Sequence, residues 1–299
     1  MSKRSRHSNQ KSETLSNLPA IMDVVVTTAG RFDLLEKCLD AVYRESLKSP
    51  VNLILIDNGS NPEERINNQH LFEWRQKENR IVEFKTKRLV QNVGFPKAAH
   101  EGARMGHAPL IMFLSDDVEL HEDAIDKVLR RMDDPSIGIV GIKLIFPPTS
   151  SSPMRPAGKV QHVGMALNIR GEPIHPLIGW SPDNPKTCIS RDVWAVTGAC
   201  LTIRRSLYEK VGGFNPMYGR GTFEDMDLNM SVRQLGSRIF VDTSATAYHY
   251  VGATAEKRQE AFPIPYNLNI FRTKWMESGL ISYGRDNQQG EKLSEIDFW

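Results

Sequence analysis

The stretch PLIMFLSDDVEL, residues 109–120, carries six residues with no charge, then Ser115, then two adjacent acids, Asp116 and Asp117. A short apolar run of this kind reads as a strand buried on both faces. Two neighbouring carboxylates at its end repel one another and resist burial. The pattern therefore asks for a positive partner that the stretch itself does not supply.

Working outward, IMDVVVTT (21–28) and VNLILID (51–57) are runs of the same type, rich in branched residues. Between them Leu35, Cys38, Leu39 and Val42 recur at helical spacing. Ile81–Lys85 alternates like a strand, and Pro96–Met105 is compatible with a helix, with Pro96 in its first turn. After the acid pair, Ile125, Val128, Leu129 and Met132 form a second stripe, with Glu122 and Asp123 expected in its first turn. Strand and helix alternating in this way predict an α/β fold, a largely parallel sheet with helices on both faces. Ligands of such sheets bind beyond the carboxyl ends of the strands. Thr27, Asp57, Asp116 and Asp117 all fall at those ends.

The second half is less regular. Strands are predicted over Ile137–Phe146, His162–Leu167, Val193–Ile203 and Arg238–Asp242, with a Pro/Ser-rich loop after the first and an irregular excursion over 171–191 that carries Trp180. A helix follows FEDMDL, with Leu228, Val232 and Leu235 on one face and Gly236 as its stop. The segment YNLNIFRTKWM is aromatic and partly helical.

Length and composition exclude several classes. At 299 residues, 40% hydrophobic and 25% charged, the chain can bury a large core in one or two domains. Thirty-eight basic against 36 acidic residues leave +2, too close to balance to indicate nucleic acid as a partner on charge. The basic excess lies mostly in MSKRSRHSNQK, within a polar tail (1–19) read as disordered. Cys38, Cys188 and Cys200 form no CxxC pair, so neither a disulfide framework nor a zinc ribbon is indicated, and a reducing compartment fits. No apolar window is long enough to span a membrane, and no signal core opens the chain. The expectation is a cytoplasmic protein whose membrane contact, if any, is peripheral at the inner face.

Taken singly, each polar position has an ordinary reading. Asp116-Asp117 can be a turn acid and a helix cap, or one of them can hold a hard cation beside phosphate oxygens. Glu224 and Asp225 can cap a helix or take a proton from a hydroxyl. His249 between aromatics can be structural, Asp57 in DNGS can start a turn, and Arg31 can be solvated or clamp a diphosphate.

Together, in the order VVVTTAGR, LILIDNGS, QNVGFPKAAHEGAR, FLSDDVEL, VTGACLTIRRSLYEKVGGFNP, FEDMDL and YHY, these pieces resemble a family 2 glycosyltransferase of the GT-A fold, in the manner of rhamnosyl- and galactofuranosyltransferases. The resemblance covers residues 20–252. It implies a domain over 20–254, with a nucleotide-binding half (20–120) and an acceptor-binding, catalytic half (121–254), followed by a helical extension over 255–299. It implies nucleotide contacts from Thr27, Ala29, Arg31, Asp57, Asn92 and Gly94, with Lys97 assisting, and Asp116 near the ribose or donor sugar. Thr197 and Gly198 would lie near the transferred sugar. The usual Asp-x-Asp motif stands here as Ser115-Asp116-Asp117, which leaves Asp117 as the metal ligand for Mn2+ or Mg2+, with His249 as a second. Asp225 maps onto the catalytic base, Glu224 beside it. The implied reaction is inverting transfer from a UDP- or dTDP-sugar to a hydroxyl of a glycan, a lipid-linked glycan or another acceptor, and the bound cation would answer the repulsion between the acids. The rival of another class is a nucleotide-sugar-binding scaffold without turnover. A dinucleotide oxidoreductase is disfavoured because no GxGxxG follows the first strand, and a nucleotidyltransferase because that strand end lacks a glycine-rich basic loop.

Overall fold

The structure, a computed structural model, describes residues 19–46, 48–75, 81–251 and 262–281. The tail expected over 1–19 lies, apart from Pro19, outside the described residues. Strand β1 (Met22–Thr28) sits at the centre of the parallel half of the sheet. It pairs in parallel with β2 (Val51–Asn58) and with β4 (Leu110–Ser115), while β3 (Glu83–Leu89) continues beyond β2. Successive side chains of a strand point to opposite faces. Met22, Val24 and Val26 therefore join the core formed with α1 (Phe32–Glu45) and α4 (Ala124–Met132). Val25, Ile54 and Ile56 pack on the small residues of α3 (Phe95–Met105). The approach there is close: a Cβ at Gly102 would stand 2.3 Å from Val25 Cγ1.

Beyond β4 the sheet becomes mixed. β11 (Cys200–Arg204) runs antiparallel between β4 and β6 (Ile137–Ile145), and β12 (Arg238–His249) lies parallel to β6. After β4 the chain turns through Asp116 and Asp117 into β5 (Val118–Leu120), which pairs antiparallel with the end of β12 and puts His249 opposite Val118. The two acids thus occupy the turn between β4 and β5.

Several expectations need correction. Of the expected strand Val193–Ile203 only Cys200–Ile203 is strand, and a separate short strand precedes it. β10 (Arg191–Asp192) pairs with β12, whereas β11 begins only at Cys200, because the chain crosses from one part of the sheet to another between them. His162–Leu167 splits into β7 (Val160–His162) and β8 (Ala166–Leu167), the latter paired with β9 (Pro173–Ile174). Helix α2 (Pro62–Arg75) was not anticipated because it is mostly polar; its signal is Asn61-Pro62, the Asn61 side chain accepting the Glu64 N–H at 2.9 Å. Glu122 and Asp123 precede α4 rather than forming its first turn. The buried Glu45 carboxylate at the end of α1 accepts the N–H groups of Asp123 and Ile125 instead. Leu235, expected on the buried face of α6 (Glu224–Gln234), is exposed, since that helix ends before it. A short helix, α5 (Arg205–Lys210), follows β11, and α7 (Ile264–Glu277) follows β12. No helix among the described residues is long and apolar enough to cross a membrane.

Candidate active site

The carboxyl ends of β1, β2 and β4 open onto a cleft of about 430 Å3. Thr27, Thr28 and Ala29 line it from β1, Asn58 from β2, and Ser115, Asp116 and Asp117 from β4 and its turn. Asn92, Gln161, Thr197, Glu224 and His249 come from the other elements, and Arg220, Gly221 and Thr222 form one wall. The register explains this convergence: Thr27 pairs with Ser115 and Thr28 with Asp57, so three strand ends finish at one level.

The two acids have different surroundings. Asp117 Oδ1 lies 3.3 Å from His249 Nε2, an approach set by the β5–β12 pairing and by the Tyr250 N–H donating to the Asp117 carbonyl at 2.9 Å. Burial, the largest single influence, raises the Asp117 carboxyl, but His249, a backbone N–H and the charge of Arg31 together hold the group below its ordinary value. On its other side His249 presents Nδ1 to Gln161 Oε1 at 3.3 Å. An amide oxygen only accepts, so Nδ1 carries a proton on that side. Asp116 is nearly buried, 6% exposed, and its Oδ2 has no hydrogen-bond partner. Burial first, and the Asp117 charge second, push it up to about 7 against the opposing bonds from Thr28 and Ala29 and the charge of Arg31.

Glu224, at the start of α6, is 7% exposed, with Oε2 likewise unpartnered. Burial and the neighbouring Asp225 raise it to about 8. Asp225 itself does not line the cleft. Its Oδ2 accepts the Gly198 N–H at 3.0 Å and its Oδ1 the Met226 N–H at 2.8 Å, so it ties α6 to the segment before β11. Asn229 braces the same segment by bonding both the N–H and the carbonyl of Val196.

The remaining expected positions do not line the cleft. Arg31 points both its Nε and Nη2 at the Asp33 carboxylate, each at 3.1 Å. Asp57 Oδ1 accepts the Ser60 N–H at 2.9 Å and the Ser60 hydroxyl at 2.6 Å, and Oδ2 stands 3.7 Å from Arg88 Nη1. Gly94 is at φ 85°, and a Cβ there would collide with the Gly219 carbonyl at 1.8 Å, which fixes the start of α3 against the 218–223 loop. Lys97 lines a separate cleft with Lys87, His100 and Phe214. The sequence reading missed Asn58, Gln161, Arg220 and Thr222. Asn58 and Asn92 brace one another through their side chains at 3.2 Å, and Asn58 Oδ1 also accepts the Val93 N–H. Asn58 had a signal, the residue after Asp57 at a strand end; Gln161 had none.

The donor set fits a hard divalent cation. Asp117 and His249 offer an oxygen and a nitrogen to one point, and a cation that keeps several water or phosphate oxygens needs few protein ligands. Asp117, whose carboxyl stays ionised, faces any anionic ligand in the cleft, and a cation held there would offset that charge. Among the described residues no cluster of three or more His, Cys, Asp or Glu side chains forms a closed metal site.

A central parallel sheet with an antiparallel extension, and an acid turn at its carboxyl edge, is the GT-A arrangement. Two solved structures share it: GalNAc-T7 with UDP, GalNAc and Mn2+ (TM-score 0.61, 16% identity, 93% of this chain and 55% of that one), and the Pyrobaculum calidifontis mannosyltransferase PcManGT in complex with GDP-Man and Mn2+ (TM-score 0.57, 14% identity, 93% and 69%). The profile of glycosyl transferase family 2 matches residues 23–212, and the chain belongs to that family. It is also similar to the O-antigen biosynthesis protein RfbC of Myxococcus xanthus, 25% identical over 252 residues. That match takes in 81% of this chain but 18% of RfbC, so the chain spans under a fifth of that relative's length.

Proposed function

We propose that this chain transfers a sugar from a nucleoside-diphosphate sugar to an acceptor hydroxyl, with inversion at the anomeric carbon. The observation that supports this best is the convergence, in one cleft at the strand ends, of the Asp117–His249 pair with the unpartnered buried carboxyl oxygens of Asp116 and Glu224. The nucleotide would lie along Thr27, Ala29, Asn58 and Asn92, and Asp117 with His249 would hold Mn2+ or Mg2+. When bound, the cation would neutralise charge on the departing diphosphate. The acceptor oxygen attacks as the bond from the anomeric carbon to the phosphate oxygen breaks; its proton passes to a carboxylate, and the nucleoside diphosphate leaves. Asp225 is the base by its place in the Glu-Asp motif. A second assignment has its own support: Glu224, not Asp225, lines the cleft, and its raised pKa near 8 suits a general base near neutral pH. UDP- and dTDP-sugars are the donors to try first, and a glycan or lipid-linked glycan hydroxyl is the acceptor class.

The test joins binding to turnover. A panel of nucleoside diphosphates and nucleotide sugars is scanned by thermal shift with Mn2+, with Mg2+ and with chelator. A cognate donor at a hundred times its Kd adds about 2.7 kcal/mol. Loss of the shift with chelator is the expected result; no shift with any nucleotide, from folded protein, sinks the reading. Turnover of the shifting donor, read as diphosphate release, is then compared in Asp225→Asn and Glu224→Gln. The base is the one whose loss lowers kcat by roughly a hundredfold or more. Full activity in both variants would mean that neither carboxyl is the base, and a wild-type protein that binds a donor but releases no diphosphate would leave only the scaffold reading.

A further inference from the structure

Helix α7 lies outside the residues that match the family, yet it contacts the loop that walls the site. Its buried face carries Asn267, Phe271 and Trp275. Trp275 Nε1–H donates to Asp227 Oδ1 at 2.8 Å and Lys274 to Asp227 Oδ2 at 2.9 Å, which docks the helix on α6. Asn267, one turn from the start of α7 and fully buried, is aimed elsewhere. Its Nδ2 lies 2.9 Å from the Tyr218 carbonyl, 2.6 Å from that of Gly221, 3.3 Å from that of Thr222 and 3.1 Å from the Thr222 hydroxyl.

Those acceptors belong to the loop that forms one wall of the cleft and delivers Glu224. The loop holds an unfavourable backbone: Gly219 and Gly221 have positive φ, and so do Thr222 (78°) and Phe223 (69°), which have side chains to accommodate. Residues in the left-handed region persist only where the surroundings over-determine them. Here the constraints are the four acceptors gathered on Asn267, and the packing of Phe223 near Phe271, with ring centroids 6.2 Å apart. An amide offers two N–H groups as a planar fork, which a hydroxyl or an aliphatic side chain cannot reproduce.

We infer that Asn267 is a positioning residue of the active site: it clamps the 218–223 loop and thereby sets where Thr222 and Glu224 meet the bound sugar and its acceptor. On this inference α7 is a working part of the site rather than an appended extension. The inference rests on the glycosyltransferase reading for its catalytic consequence, but its structural half stands apart from that reading.

The experiment compares Asn267→Ala and Asn267→Ser with Trp275→Phe, which removes the bond to Asp227 while keeping an aromatic ring. Hydrogen exchange by mass spectrometry and steady-state kinetics with the donor found above are both measured. In Asn267→Ala the expected result is faster exchange confined to 218–225, and a kcat lower by roughly ten- to a hundredfold with donor KM little changed. Asn267→Ser retains one donor and falls between; it also serves if the alanine variant does not fold. Trp275→Phe loses thermal stability but keeps kcat. Unchanged exchange over 218–225 overturns the clamp. Equal loss of kcat in Trp275→Phe at matched stability overturns the specific role and leaves only a folding contribution. If wild-type protein turns over no nucleotide sugar, the glycosyltransferase reading fails, and the exchange data still decide whether Asn267 holds the loop.

Discussion

Gln161 has one accepting oxygen, and that oxygen decides which imidazole nitrogen of His249 faces Asp117. Partners behind a ligating histidine fix its tautomer and strengthen it as a ligand. In Gln161→Leu the apparent Mn2+ affinity should therefore fall by roughly ten- to a hundredfold, read as the midpoint of a Mn2+ titration of thermal stability at fixed nucleotide. An unmoved midpoint would remove Gln161 from the surroundings of the metal. Asp117 and His249 were legible as candidates because an acid at a strand end and a histidine after a strand are unusual enough to mark. Gln161 was not, since it stands 88 residues from His249 and its neighbours look like any short strand.

At the scale of elements, α6 begins where the strained loop ends, so its first residue is held inward and buried. An acid in the first turn of a helix is normally favoured in its charged form. Here burial and Asp225 reverse the balance and raise Glu224 from 4.5 to about 8. A carboxyl raised in the folded state stabilises the fold below its unfolded value, and that contribution is lost as pH climbs through the folded one. Without nucleotide or metal, wild-type Tm should therefore drop between pH 4.5 and 8, and Glu224→Gln should flatten that fall. Parallel profiles for the two proteins would show that Glu224 titrates normally. The helix stripes of α1 and α4 were readable from spacing; the cap on α4 was not, because it comes from Glu45 on another helix.

For the whole molecule, the parallel and mixed halves are joined by a buried charge. Asp23 in β1, fully buried, accepts bonds from Asn52 Nδ2 at 2.7 Å and the Ala108 N–H at 2.9 Å, and Arg205 of α5 reaches it at 2.5 Å. Arg205 also holds the carbonyls of Ala103 and Ala108. Removing one member of a buried pair leaves an uncompensated charge, so Arg205→Ala should cost about 3–5 kcal/mol in urea unfolding. A loss no larger than that of a surface arginine would show that the halves do not depend on this link. Asp23 interrupts an apolar run in the sequence, which marks it as unusual, but its partner 182 residues away carries no local sign of the pairing.

The sequence by itself determined the alternation of buried strands and amphipathic helices, the family, and the acids and histidine at the strand ends, because each is written in residue type and short-range spacing. Only the tertiary structure decided which of them share a cleft. The turn at Asp116-Asp117, the start of β11 only at Cys200, the inward Glu224 beside an averted Asp225, and the reach of Asn267 across 46 residues to Gly221 all depend on strand register and on long-range bonds. Such bonds form between residues that are strangers in the chain, and no periodicity records them.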